Sequence, residues 1–560
     1  MEVDALTILL TIAIAAVLAF VKLNKSEPDI HPLLLDQQAS VAPLRGEGES
    51  AIHRAKSVPA GSSLAKVPLE RIKTLHDVWQ NGLAANSTCR CLMYMLQNQF
   101  SYIGESYEHV DRRIGGFGTG FITETKLKPR TETPVGIYAP YSQESFVAQQ
   151  AFYRYGFVAV PIHDLRSSEL LIEIVNQTKM KAIVVAQKAL PLLLQSLKDC
   201  SSIKTIFVAT IYISEEQKKI AAQYGAKILK FAEVEYNGSL GALDAVKPEP
   251  SDIAMINYNT KSTSLSKGVV LTHANLVAAM TGFSGSLPGA KKFTSKDRLL
   301  SHFTNGDVIG TWMTSAMVMA GGSIVFPSGL MKNVLHDSQA TTPTIFASTP
   351  IILEKIHEAL DATYGTGSSF KKAYASKLAL LDAGRVSTTS LWDFIGLGEV
   401  RSRLGGKVRL VVTTNPTKPE TLKYIRAAMG IHVISTYGRT ETSGIVTSRN
   451  MFDYSNDAHL GAPVGCNEIK LLDDPERRYT SGDQPNPRGE ILVRGPNVMK
   501  GYYKKPNATA TSIDSDGWFH TGEWGSFNAN GTLELLGKKK KVKSEKAPSS
   551  PVQEEEESKE

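Results

Sequence analysis

The chain has 560 residues, 42% of them hydrophobic and 21% charged, a globular composition with room for two to four domains and a large core. A formal charge of +7, much of it in local clusters, is too modest to argue for nucleic acid as a partner. The four cysteines are Cys89, Cys91, Cys200 and Cys466; only the first two are close, and a Cys-x-Cys without a second pair or a nearby His is a poor metal site, so they read as reduced structural thiols.

After a short segment, 1–4, the first element is "ALTILLTIAIAAVLAFV", an uncharged run over 5–21. As a helix it reaches about 25 Å, enough for a thin bilayer. Glu2 and Asp4 precede it and Lys22 and Lys25 follow, the reverse of a cleaved leader, so it predicts a single membrane anchor with the body on the cytosolic side. The alternative is a buried core helix. Residues 22–66 are rich in Ser, Pro, Gly and charge and read as a tether or an extended arm over the body.

From 67 to 459 short apolar runs alternate with helical patterns. "PVGIYAP", "FVAVPIHD", "AIVVAQ" and "TIFVATI" read as strands, with helices such as "SQESFVAQQAFYRYG" and "SSELLIEIVNQT" between them. "SIVF", "VRLVVTT" and "HVISTYG" continue the series, and the alternation predicts parallel sheets covered on both faces, an α/β body. Over 460–537 the texture becomes strands separated by Gly, Pro and Asn, which predicts a small antiparallel sheet or β-barrel. The end, 538–560, is a lysine block followed by an acidic one and reads as a disordered tail, with the lysines solvated or facing lipid.

Three stretches carry more than fold: "STYGRTETSG" (435–444), "RGEILVRGPNVMKGYYKKP" (488–506) and "DGWFHTGEWG" (516–525). With "SKGVVLTHANL" (266–276) they resemble the adenylate-forming, AMP-binding enzymes, and among them the long-chain acyl-CoA synthetases, over residues 75 to 545. The resemblance implies two parallel-sheet α/β subdomains, a small antiparallel β-barrel, and a site at the C-terminal ends of the strands. It implies activation of a fatty acid with ATP and Mg²⁺ to an acyl-adenylate, then transfer to CoA. Carried over by motif, Thr440, Glu441 and Lys267 are the catalytic set, with Glu441 as the magnesium carboxylate. Thr260, Ser262, Thr263, Tyr437, Gly438 and Glu523 are nucleotide-binding, Tyr437 as the aromatic at the adenine and Glu523 as the ribose carboxylate. The plainer alternatives are packing for Tyr437 and helix capping for the Thr440–Glu441 pair.

The chain also departs from the family pattern. In the phosphate loop the internal glycines are replaced by Lys261 and Ser264 and the proline by Ser266. A β-carbon where a loop needs positive φ costs about 1–2 kcal/mol. Glu523 replaces an Asp, Asp307 stands where a His is usual with His302 five residues earlier, and the stretch Ser544 to Glu560 is expected to be charged tail in place of the family's mobile C-terminal domain. These departures lead to the expectation of a membrane-anchored acyl-CoA-synthetase-like protein of lipid metabolism, catalytically impaired, that binds an acyl chain or scaffolds, pairing with an active synthetase. The alternative is a working long-chain fatty acid–CoA ligase. The endoplasmic reticulum is the expected location, with the mitochondrial outer membrane, lipid droplet and peroxisome also compatible.

Overall fold

The computed structural model describes residues 4–23, 28–42, 46–95, 101–162, 168–258, 267–304, 306–329, 331–414, 416–455 and 458–538. Two sheets organise them. The first runs, in spatial order, Gly501–Tyr502, Gly268–Thr272, Ile253–Tyr258, Val158–Ile162, Pro134–Tyr138, Ala182–Ala186, Thr205–Ala209 and Lys227–Lys230. Its strands from Ile253–Tyr258 to Lys227–Lys230 are parallel, and the two at the other edge are antiparallel. The runs Pro134–Tyr138 and Val158–Ile162 are buried at every position, as strands covered on both faces must be.

The second sheet has fifteen strands and two characters. One half is parallel, edged by the antiparallel strand Tyr102–Ser106: Arg90–Met95, Ser323–Val325, Arg298–Ser301, Ile345–Ala347, Leu410–Thr414 and His432–Tyr437. Through Thr447–Ser448 and His459–Pro463 the ladder continues into an antiparallel half built from Leu533–Lys538, Phe519–Phe527, Arg488–Arg494 and Glu468–Leu472. The expected small antiparallel unit is therefore present, but its described pairings run as one open ladder joined to the body rather than as a closed barrel.

Two further strands, Ala39–Ala42 and Ile52–Ala55, finish that edge. They lie inside the segment 22–66, which is an arm pairing with the sheet over this part and not a free tether. Arg54 fastens it, its Nε donating to Glu468 at 2.6 Å.

The main core draws on both sheets. Trp79, Phe117, Phe146, Leu276, Phe283 and Trp312, from five helices, share one buried cluster with Ile137 and Leu271 of the first sheet and Leu299 and Leu410 of the second. Burying such aromatic and aliphatic side chains stabilises by about 1.5–3 kcal/mol each. All four cysteines are free, as expected of structural thiols.

The N-terminal run forms a helix, Ala5–Leu23. Among the described residues no helix is long and apolar enough to cross a membrane, so the expected transmembrane span is not supported. Nor is this helix a buried one: Ile8, Leu9, Leu10, Ile12, Ile14 and Leu18 are all half or more exposed.

Candidate functional site

The strand His432–Tyr437 is flanked on both sides within the second sheet and leads directly into the candidate site. The chain leaves it through Gly438 into a one-turn helix, Thr440–Thr442. Gly438 is required by space: a β-carbon there would lie 2.4 Å from the backbone nitrogen of Ile445. The turn is held from within, the Arg439 N–H donating to Thr442 Oγ1 at 3.0 Å and the Gly444 N–H to the Arg439 carbonyl at 2.7 Å.

It is also held from outside by residues 497–503. Buried Asn497 donates through Nδ2 to the carbonyls of Thr442 at 3.0 Å and Ile445 at 2.7 Å. The Met499 N–H donates to the Glu441 carbonyl at 2.8 Å. The same segment then pairs with the first sheet, Gly501 opposite Val270 and Tyr502 opposite Val269, and so joins the Glu441 turn to Lys267. Gly268 starts that strand because a β-carbon would meet the Tyr258 ring at 2.7 Å.

The side chains assembled this way form one charged network. Glu441 Oε1 accepts from the Tyr502 hydroxyl at 2.9 Å, and Glu441 Oε2 faces Arg439 Nε at 3.6 Å. Arg439 also reaches the second carboxylate, Nη1 to Glu523 Oε1 at 3.5 Å. Glu523, only 3% exposed in its side chain, accepts from the Tyr437 hydroxyl at its other oxygen and pairs with Lys538 Nζ at 2.9 Å. The Lys267 ammonium sits 4.6 Å from the centre of the Tyr502 ring, a cation–π distance.

Proton affinities follow from this packing. Burial, then the Glu523 charge, pushes the Tyr437 hydroxyl well above its ordinary range, and burial followed by Glu441 does the same to Tyr502. Burial works against the Arg439 cation, but Glu441 and Glu523 more than offset it and hold the guanidinium charged.

Of the sequence-derived residues, Lys267, Tyr437, Gly438, Glu441 and Glu523 are gathered here, and Thr440 opens the turn that carries Glu441. Thr260, Ser262 and Thr263 lie outside the described residues. Tyr437 is a core residue as well, 6% exposed and clustered with Val446, Leu460, Ile491 and Val493. Asp307 serves a local turn, its Oδ2 accepting from Thr304 N–H at 3.1 Å and Thr304 Oγ1 at 2.8 Å. His302 is half-buried against Phe346, and desolvation of its ring holds it down at about 4.

Three members of the network were not among the sequence candidates. Arg439 stands inside the quoted motif, between Gly438 and Thr440, and its charge was the available signal. Tyr502 needed the strand pairing with Val269. Lys538 belongs to the lysine block read as solvated or lipid-facing; it ends a strand in register with Glu523, and this corrects its place from the tail to the site.

The expected Mg²⁺ at Glu441 can be tested against this arrangement. Mg²⁺ bound through one carboxylate needs an accessible oxygen without a competing cation. Here Tyr502 donates to one oxygen and a guanidinium faces the other. Unit charges ~4 Å apart interact by about 4 kcal/mol at an effective dielectric of 20, so a dication beside Arg439 meets substantial repulsion. No group of three or more His, Cys, Asp or Glu side chains among the described residues is placed to hold a metal. As arranged, these residues do not fit a divalent ion.

Comparison with known proteins agrees with the fold and gives the family. Residues 90–503 match the family model "AMP-binding enzyme". The chain is 31% identical to long-chain-fatty-acid–CoA ligase 5 of Rattus norvegicus over 84% of its own length and 69% of the relative's. It is 30% identical to long-chain-fatty-acid–CoA ligase 6 of Homo sapiens over 97% and 77%. With the peroxisomal long chain acyl-CoA synthetase 6 of Arabidopsis thaliana it shares 33% identity over 73% and 58%. The fold is shared with a solved long-chain-fatty-acid–CoA ligase of Archaeoglobus fulgidus, at a TM-score of 0.65 and 18% identity over 85% of this chain and 86% of that one. By class the chain thus belongs to the family described as AMP-binding enzyme. Within that class it belongs to the long-chain acyl-CoA synthetase family.

Proposed function

We propose that this chain holds an adenine nucleotide and an acyl chain at the Arg439–Glu441–Glu523 network and turns them over poorly. It acts in lipid metabolism by binding or scaffolding, paired with an active acyl-CoA synthetase. The observation that carries the reading is that one guanidinium bridges the two carboxylates expected to take a metal and a ribose diol. The replacement of loop glycines by Lys261 and Ser264 supports it, because phosphate chemistry depends on backbone donors aimed beforehand. Loss of one such donor typically costs about 10²–10³ in turnover. Incubation of purified chain with ATP, palmitate and CoA tests it. The expected result is acyl-CoA formation indistinguishable from that of the Glu441→Ala variant, and robust formation lost in that variant overturns it.

A second reading is a working ligase that converts fatty acid, ATP and CoA to acyl-CoA, AMP and pyrophosphate. It is favoured by the gathering of Lys267, Tyr437, Glu441 and Glu523 around one turn. Fatty-acid-dependent exchange of labelled pyrophosphate into ATP separates the two, since only the second reading predicts it.

The exposed apolar side chains of Ala5–Leu23 support association with a membrane, with the endoplasmic reticulum as the location we propose. Deleting residues 1–25 then moves the chain into the soluble fraction, and unchanged membrane association in the variant rejects this attachment.

A further inference from the structure

Arg439 is set more firmly than a surface arginine. Its own N–H and carbonyl are both hydrogen-bonded in the turn, Gly438 before it admits no side chain, and the buried Nε has no hydrogen-bond partner among the described residues. The guanidinium lies between Glu441 and Glu523, 3.6 and 3.5 Å away, and is about one-third exposed. Around it the network counts three cations, Arg439, Lys267 and Lys538, against the two carboxylates. The site is therefore cationic before any metal enters it.

A planar guanidinium with five donors recognises phosphate oxygens as an oriented partner, which a hydrated dication does only through exchangeable water. We propose that Arg439 is the resident cation of this site, standing in the place of a divalent ion at Glu441, so that the chain binds the polyphosphate of ATP without Mg²⁺. The proposal rests on the nucleotide-site reading above and departs from the metal-dependent site implied by resemblance.

Equilibrium titration of the full chain with ATP in EDTA and in Mg²⁺, with AMP in parallel, tests it. The wild-type chain is expected to bind ATP in EDTA as tightly as in Mg²⁺, or more tightly. Arg439→Gln is expected to weaken ATP binding in EDTA by about tenfold, equivalent to 1.4 kcal/mol, and to make binding respond to Mg²⁺. Arg439→Lys, which keeps the charge and loses the planar fork, is expected to bind ATP in EDTA more weakly than wild type and more tightly than Arg439→Gln, and a melting curve of each variant reports folding. ATP binding by the wild-type chain that tightens tenfold or more on adding Mg²⁺ overturns the inference. AMP binding in that same case leaves the nucleotide site standing. Absence of both AMP and ATP binding overturns the inference and the nucleotide-site reading together.

Discussion

Glu523 is the residue on which most of the site's charges converge. Tyr437, Arg439 and Lys538 all pair with it, and it is nearly fully buried. Removing its charge leaves a buried hydroxyl without this acceptor, Lys538 without this partner and Arg439 with Glu441 alone. Breaking a buried pair typically costs about 3–5 kcal/mol, and screening at the partly exposed Arg439 and Lys538 reduces that. Glu523→Leu is expected to lose about 2–3 kcal/mol in urea denaturation, whereas Lys538→Ala, whose ammonium is 61% exposed, stays within about 1 kcal/mol. Equal losses in the two variants contradict this ranking. Gly438→Ala is a steric test: its β-carbon meets backbone rather than a flexible side chain, so an overpacking cost of about 1–3 kcal/mol is expected. A wild-type denaturation midpoint in that variant rejects the close approach.

At the scale of elements, the site depends on a segment that belongs to neither sheet's main body. Residues 497–503 tie the turn after one sheet to the edge of the other through Asn497, Met499 and the Gly501–Tyr502 pairing. Asn497→Ala leaves the carbonyls of Thr442 and Ile445 without their donor in a buried place, at a cost of about 1–3 kcal/mol. Because those carbonyls flank the Glu441 turn, AMP affinity is expected to fall with stability. Destabilisation with unchanged AMP affinity places Asn497 outside the site. The motif over 488–506 was visible as a string of Gly, Pro and aromatic residues, but its work as a bridge was not. A two-residue strand has no periodicity to read, and its partner lies more than 200 positions earlier in the chain.

Across the whole molecule, buried neutral histidines link stability to pH. Burial lowers His53 and His302 from 6.5 to about 4 and His273 to about 3. Since each folded value lies below the unfolded one, the unfolded chain takes up protons first. The stabilisation is complete above pH 6.5 and is lost as pH falls toward 4 and below. Each such group contributes a slope of about 1.4 kcal/mol per pH unit within that window. Melting temperature is expected to drop between pH 7 and 5, with a shallower drop in His302→Asn; a flat profile across that range contradicts the assignment.

The sequence by itself determined the alternation of strands and helices, the change of texture near 460 and the motif around Tyr437 to Glu441. Each is written in contiguous residues: apolar runs of strand length, helical spacing between them, and turn residues at the joins. Tertiary structure alone decided which distant pieces meet. It placed Ala39–Ala42 and Ile52–Ala55 on a sheet edge, brought Lys538 opposite Glu523, and set Arg439 between two carboxylates from separate strands and turns. The physical reason is that local pattern specifies an element and its buried face, whereas register and ion pairing between remote segments are chosen by packing of the whole core, which no short stretch contains.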